Sequence, residues 1–263
     1  MTGAEESNDH IHMTKDFYDD MSKNYHLIFD NWDIAMEKHA RVLQLHISNF
    51  FENSDVSILD CTCGIGTQTI GLGKLGYKVT GTDISPNAME RAIKESRARN
   101  LDIEYHVLDI RRISALGRSF EVIISIDNSL PHLIDDEEIF DALKAVRSCL
   151  KDEGVFIATT RDYDALIKER PEMTPPCFRR DDSGDWITCQ VWNWVSKNVY
   201  EVHQHITTKT DGRWLHHHTV TLYRALQRSE LEYFSREVGF KNVQWLLPTE
   251  SGFYQPLMLA HSR

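Results

Sequence analysis

Val56-Ser57-Ile58-Leu59-Asp60-Cys61-Thr62-Cys63-Gly64-Ile65-Gly66-Thr67 decides how the rest of the chain reads. An apolar run ends in an acid. Two glycines follow, two positions apart, and a helix-compatible segment starts at Thr67. A strand, a glycine turn and a helix in that order bring backbone close to a ligand. Gly64 and Gly66 remove side chains that would block the approach, and glycine takes backbone angles other residues resist. Alone the pattern is weak, because glycine turns also join strands to helices for structural reasons. The neighbouring segments decide.

Downstream, strand and helix patterns alternate for a hundred residues. Strands are expected at 56–60, 78–82, 103–107, 120–126 and 155–159, and helices at 67–75, 86–99 and 136–150. Ser85 is placed to cap the second helix, and Pro86 suits its first position. The fourth strand is nearly all apolar (Val122, Ile123, Ile124, Ile126), as in parallel sheets covered on both faces. After residue 160 the rhythm changes. Residues 161–180, with Pro171, Pro175 and Pro176, read as loop. Residues 186–195, 199–208 and 214–226 alternate polar and apolar, with turns at Lys197-Asn198 and Asp211-Gly212. A helix at 229–238, closed by Gly239, leads to a hairpin of strands at 243–247 and 257–260. Upstream, 16–33 fits two short helices and 34–51 a longer amphipathic one. The expected architecture is α/β: a doubly wound, Rossmann-like, mostly parallel seven-stranded sheet from residues 56–160 and 225–263. An antiparallel cap for substrate (161–224) is inserted in it, and an N-terminal helical lid (1–55) precedes it.

Bulk properties narrow the function. The chain has 263 residues, 41% hydrophobic and 26% charged, which suits one large α/β domain with an insertion. Its formal charge of −11 argues against a nucleic-acid-binding surface. No apolar run approaches the ~20 residues of a membrane span. Residues 1–10 are polar, lack the apolar core of a signal peptide, and are expected to fray. Five cysteines without a disulfide framework imply a reducing cytoplasm. Cys61-x-Cys63 has no second pair at ligand spacing, so both are expected to be buried at a strand end. His203 with His205, and His216 with His218, lie two apart on neighbouring strands. Such pairs can hold a metal, but a polar sheet face, lining an acceptor pocket, is the expected role, and no metal is assigned. Trp192, Trp194 and Trp214 read as core or dimer contacts.

Three strands end at acids: Asp60, Asp83 and Asp109. Open α/β sheets bind ligands outside the carboxyl ends of their strands. There Asp83 can accept from ribose hydroxyls and Asp109 from the exocyclic amine of adenine. The third position of G-x-G-x-x-G is Thr69, and nothing basic lies near the loop. Phosphate is disfavoured, and a cationic or zwitterionic nucleoside is preferred.

Leu59-Asp60-Cys61-Thr62-Cys63-Gly64-Ile65-Gly66-Thr67 resembles motif I of class I S-adenosylmethionine-dependent methyltransferases, with Asp83 and Asp109 where that family places its second and third cofactor acids. The resemblance covers residues 56–160 and 225–263. Asp127-Asn128-Ser129-Leu130-Pro131-His132-Leu133 is similar to the G-N-S-F-x-H-L segment of glycine and glycine/sarcosine N-methyltransferases. Thr160-Arg161-Asp162-Tyr163-Asp164 is similar to their H-R-N-Y-D segment. The chain departs in having Asp127 for Gly, Thr160 for His and Asp162 for Asn.

The resemblance implies S-adenosylmethionine as cofactor and methyl transfer to the amine of a small amino acid such as glycine or sarcosine. A larger small-molecule N- or O-acceptor and a silent cofactor-binding protein are the alternatives. The implied cofactor residues are Tyr25, Trp32, Asp60, Cys63, Gly64, Gly66, Asp83 and Ile84, then Met89, Leu108, Asp109, Ile110 and Ile126. Arg161 would grip the acceptor carboxylate bidentately, with Tyr163 bracing it. Asn128 would orient the acceptor, and His132 would hydrogen-bond it or help remove a proton. Tyr18, Tyr25 and Trp32 are lid candidates, since aromatic faces suit a sulfonium cation. The partner expected is a small-molecule amine acceptor, with no nucleic acid and no membrane, and the protein is expected to be a monomer or homodimer.

Overall fold

The computed structural model describes residues 3–52, 55–182 and 184–263. Helix α1 (Gly3–Met21) is followed by a 3-10 turn (Tyr25–Ile28) and helix α2 (Trp32–Ser48). The alternating region then supplies β1 (Ser57–Asp60), α3 (Thr67–Lys74), β2 (Lys78–Asp83), α4 (Pro86–Ala98), β3 (Glu104–Val107), β4 (Phe120–Ser125), α5 (Asp136–Cys149) and β5 (Leu150–Thr159). Beyond it come α6 (Tyr163–Glu169), β6 (Cys177–Asp181), β7 (Gly184–Trp194), β8 (Val199–Thr210) and β9 (Arg213–Arg224). The chain closes with α7 (Arg228–Glu237), β10 (Lys241–Leu246), α8 (Pro248–Ser251) and β11 (Leu257–His261).

Seven strands form one sheet in the order β10-β11-β5-β4-β1-β2-β3, in which β11 runs antiparallel to both neighbours. Successive residues of the central strands point to opposite faces. Leu59, Ile123 and Phe156 pack under α5 and α7 with Leu143, Val146 and Leu231. Ile58, Ile124 and Ile157 pack on the other face with Leu43 and Ile47 of α2 and Leu72 of α3. Both faces are covered, so these strands read as unbroken apolar runs. Helix α2 crosses α3 on bare backbone: a Cβ on Gly71 would stand 2.6 Å from the Met36 carbonyl oxygen. Ser85 caps α4 by accepting from Ala88 N–H (3.0 Å), with Pro86 next in line, as expected. The Asp211-Gly212 turn has φ of +50° and +76°, the positive pair a tight hairpin needs.

Five differences from the expected elements stand out. Two short helices are expected over 16–33; instead the backbone is helical from Gly3 through Met21, a 3-10 turn covers Tyr25–Ile28, and α2 already starts at Trp32. The first half of α1 is nearly all polar, so no apolar stripe marks it. Expected fraying of 1–10 is replaced by helix from Gly3, and Met1 and Thr2 lie outside the described residues. The antiparallel cap has four strands, β6-β7-β8-β9, rather than three. β6 is an edge strand without apolar alternation, held partly by Arg180–Asp185 (2.5 Å) and Arg179–Asp30 (2.7 Å) ion pairs. The segment 161–180 also holds α6. Finally β5 begins at Leu150 rather than 155, and a register shift between Phe120 and Val122 absorbs the extra charged residues.

Candidate active site

β1 lies between β2 and β4, so the sheet order reverses there, and a crevice opens at the carboxyl ends of these strands. An inner cavity fills it. Its walls include Thr62, Cys63 and Gly64 of the glycine turn, Asp83 and Ile84 after β2, Asp109 and Ile110 after β3, and Ile126 after β4. Gly64 has φ of +53°, and a Cβ there would enter open space. Its N–H donates to Asp83 Oδ2 (2.8 Å), while Ser85 N–H donates to Oδ1 (2.9 Å). Each Asp83 oxygen thus keeps a lone pair for a ligand hydroxyl. Burial pushes the Asp83 carboxyl up, and these backbone donors oppose the shift.

Several expected cofactor residues stand behind this wall rather than in it. Asp60 is buried at the end of β1; Oδ1 accepts from Thr62 N–H (3.4 Å), and Oδ2 has no partner among the described residues. Burial raises its carboxyl well above the usual range. Gly66, at φ +93°, packs locally: a Cβ would lie 2.9 Å from Ile70 Cδ1. Trp32 donates its indole N–H to Thr67 Oγ1 (2.9 Å) and packs with Met36, Ile65 and Ile70, supporting the turn from outside. Met89 packs with Cys63 and Ala92, and Leu108 N–H donates to the Asp83 carbonyl (2.8 Å). Asp109 does line the cavity, but Arg111 holds its carboxylate through Nε (3.0 Å) and Nη2 (2.5 Å). Arg111 also corrects the expectation that nothing basic is near. Its third arm reaches Glu138 (2.8 Å), so two carboxylates neutralise it and phosphate remains disfavoured. An apolar slot, a backbone-lined turn and two strand-end carboxylates fit an adenosine bearing a sulfonium.

An outer cavity adjoins the first. Asn128, Arg161, Gln190, Gln204, Tyr223 and Tyr254 line it, with Phe17, Met21 and Phe29 from the N-terminal helices. Tyr18, Tyr25 and Asp127 line both cavities. Arg161 follows β5 and lies between the rings of Trp192 (4.8 Å) and Tyr223 (5.3 Å). Its guanidinium donates to Tyr200 Oη (3.2 Å) and Gln190 Oε1 (3.0 Å). Both acceptors are neutral, and no ion pair among the described residues includes Arg161. Asp162 and Asp164, adjacent in sequence, pair with Arg228 instead (2.8 Å each). Tyr163 is buried beneath, and its hydroxyl meets that of Tyr200 (3.0 Å), so it supports Arg161 through Tyr200. Asn128 Oδ1 accepts from Arg161 N–H (2.9 Å), and its buried Nδ2 has no partner among the described residues.

His132 sits in the inner wall rather than the outer one. Nε2 is hydrogen-bonded to the Tyr18 hydroxyl (2.8 Å), and the ring lies 4.3 Å from that of Tyr223. Burial lowers its pKa to about 3, so it is neutral near pH 7. Trp192 belongs to the arginine sandwich, whereas Trp214 is exposed rather than core. The imidazoles of His203, His205, His216 and His218 stack on an exposed sheet face 4.7–5.2 Å apart and line neither cavity. No grouping able to hold a metal occurs among the described residues. Gln190, Gln204, Tyr200, Tyr223 and Tyr254 escaped the sequence reading. Gln190 and Gln204 are cross-strand partners on β7 and β8, a pairing visible only once register is known.

Residues 58–154 match a family model described as a methyltransferase domain. The chain carries a methyltransferase domain. The glycine/sarcosine N-methyltransferase of Parasynechococcus marenigrum is 29% identical over 143 residues, 53% of this chain and 51% of that protein. The chain spans about half the length of the curated relatives it matches. Among solved structures, an S-adenosylmethionine-dependent methyltransferase from Clostridium acetobutylicum aligns with a TM-score of 0.71 at 18% identity, covering 86% of this chain and 90% of that one. The sugar N-methyltransferase KedS8 from Streptoalloteichus aligns at 0.72 and 15% identity, covering 87% and 88%. At such identities these likenesses speak for the fold. Within the methyltransferase domain the matched segment runs from β1 into β5 and stops before Arg161, so the outer cavity lies largely beyond it.

Proposed function

We propose that this chain transfers the methyl group of S-adenosylmethionine to the amine of a small amino acid such as glycine or sarcosine. The carrying observation is Arg161, a cation lodged between aromatic rings, held by neutral acceptors and facing the outer cavity. Planar guanidinium donors suit a carboxylate bidentately, and a cation kept from water without a counter-ion costs stability unless a ligand supplies one. When bound, S-adenosylmethionine supplies a methyl already made electrophilic by its sulfonium. The protein's part is placement, and well-oriented reactions gain effective molarities of ~10⁵–10⁸ M. Arg161 and Asn128 fix the acceptor, so that its nitrogen faces the junction between the cavities. Tyr18 and Tyr25 at that junction exclude water, with the N-terminal helices as lid and the four-stranded cap as far wall. His132, neutral and tied to Tyr18, orients that hydroxyl. Mass spectrometry of glycine and sarcosine incubated with cofactor tests the reading. Arg161→Ala is expected to raise the acceptor KM by ~30-fold or more, the scale of a lost charge-pair partner. An unchanged KM rejects the carboxylate clamp.

A larger acceptor is the second reading. The outer cavity encloses about 1440 Å³ counting its open mouth, more than glycine fills. The likeness to a sugar N-methyltransferase supports it at the level of fold. Turnover of an amino-sugar panel in the same assay, with none of glycine or sarcosine, would favour it.

A further inference from the structure

We propose that Asp127 binds the acceptor's nitrogen, so that the acceptor is taken as a zwitterion with its carboxylate on Arg161 and its ammonium on Asp127, which takes up the ammonium proton and frees the lone pair that forms the N–CH3 bond as the sulfonium C–S bond breaks. The proposal rests on the amine reading above and names what that reading leaves open. Tyr18, Tyr25 and Asp127 line both cavities, and Asp127 alone of these three carries a charge. Its side chain is only 13% exposed.

The donors around it are neutral. Gln68 Nε2 donates to Oδ2 (2.7 Å), and the Tyr254 hydroxyl donates to Oδ1 (2.7 Å). His39 Nδ1 stands 3.9 Å from Oδ2, and burial holds the His39 pKa below its ordinary value, so it brings no full charge. The other acid of the outer cavity, Asp30, is exposed and paired with Arg179 (2.7 Å). Arg161 is cradled in the same manner by Tyr200 and Gln190. A carboxylate and a guanidinium thus face one cavity, each on neutral partners, and no ion pair within 4.0 Å joins them. Two half-satisfied opposite charges held apart are costly when buried. A ligand carrying both complementary charges removes both costs at once.

The backbone agrees. Asp127 and Asn128 are both left-handed, with φ of +63° and +69°. Thr159 pins them, accepting from Asp127 N–H at Oγ1 (2.9 Å) and from Asn128 N–H at its carbonyl (3.2 Å). Glycine, which stands here in the segment this one resembles, takes such angles freely. An aspartate held against that preference beside a cavity points to function.

The test is calorimetric binding of sarcosine and its oxygen isostere methoxyacetate to the protein saturated with S-adenosylhomocysteine. The wild type is expected to prefer sarcosine by ~10- to 100-fold, the worth of a hydrogen bond to a charged group. Asp127→Asn is expected to shrink that preference to within about threefold while methoxyacetate binds as before. Asp127→Gly, which suits the left-handed backbone, is expected to do the same and covers the case in which the amide misfolds. Arg161→Ala should lose both ligands. A full preference surviving in both variants overturns the proposal and leaves the amine reading standing. Failure of the wild type to bind either ligand overturns both. Loss of S-adenosylhomocysteine binding in the variants, with the preference intact, assigns the carboxylate to the cofactor and overturns the proposal.

Discussion

His132 shows how one residue's surroundings set its chemistry. Enclosed between Tyr18 and Tyr223, with Arg161 near enough to repel a second positive charge, it resists protonation down to about pH 3. The sign follows directly. As pH falls below the ordinary histidine value of 6.5, the unfolded chain takes up a proton that the folded chain refuses. His132 therefore lends its full stability above about pH 6.5, and that share is lost progressively as pH falls toward 3. The loss is at most ~1.4 kcal/mol per pH unit for one such group. His26, lowered to about 4 by burial first and Arg91 second, adds a similar slope. Urea midpoints measured from pH 7 to pH 4.5 should fall for the wild type and fall less steeply for His132→Gln, with His26, His39 and the other histidines whose pKa burial lowers keeping the remainder. Parallel slopes in the two proteins would remove His132 as the cause.

At the scale of elements, α1 is joined to the glycine turn through a line of hydrogen bonds. Asp19 Oδ1 accepts from Ser85 Oγ (2.6 Å) and from Asn87 N–H (3.1 Å) at the start of α4, where an acid is favoured by the helix dipole. Ser85 N–H binds Asp83, and the other oxygen of Asp83 holds Gly64. Helix α1 and the inner cavity thus share a support. Asp19→Ala is expected to weaken S-adenosylhomocysteine binding by about 3- to 30-fold, the usual scale of such coupling. It should also speed tryptic cleavage at Lys15 and Lys23. Equal affinity in calorimetry would show helix α1 to be independent of the turn. The α2–α3 crossing makes a separate case. Gly71→Ala must push a methyl against the Met36 carbonyl, and overpacking of this kind costs ~1–3 kcal/mol. Equilibrium unfolding in urea reads that loss.

For the whole molecule, the N-terminal helices, the seven-stranded sheet and the four-stranded cap all contribute lining to the two cavities, so ligand binding should stabilise the assembled fold. S-adenosylhomocysteine at a hundred times its Kd stabilises by ~2.7 kcal/mol, which for a chain of this size raises Tm by roughly 5–10 °C. Differential scanning calorimetry with and without ligand checks this. Absence of any shift at saturating ligand would contradict the assignment of the inner cavity. Among the described residues no helix is long and apolar enough to cross a membrane.

Local physics carries the sheet. Apolar runs at β1, β4 and β5, the cap at Ser85, and the glycine turn were readable because each depends on residues close together in the chain. The same holds for Asp83 and Asp109, which stand where their strands end. What the turn could not disclose is which of its own residues meets the cavity. Gly64 does, while Asp60, Gly66, Trp32, Met89 and Leu108 serve behind it, because facing is set by how the helices pack. Arg161 was legible as a residue, but its isolation from Asp162 and Asp164 depends on Arg228, remote in sequence. Gln190, Gln204, Tyr223 and Tyr254 came into view only with strand register and loop placement. The sequence by itself determined the doubly wound α/β architecture, since that rests on short-range pattern. Tertiary structure alone decided that Asp127 and Arg161 face one cavity, because residues far apart in the chain must pack before two charges can share a ligand.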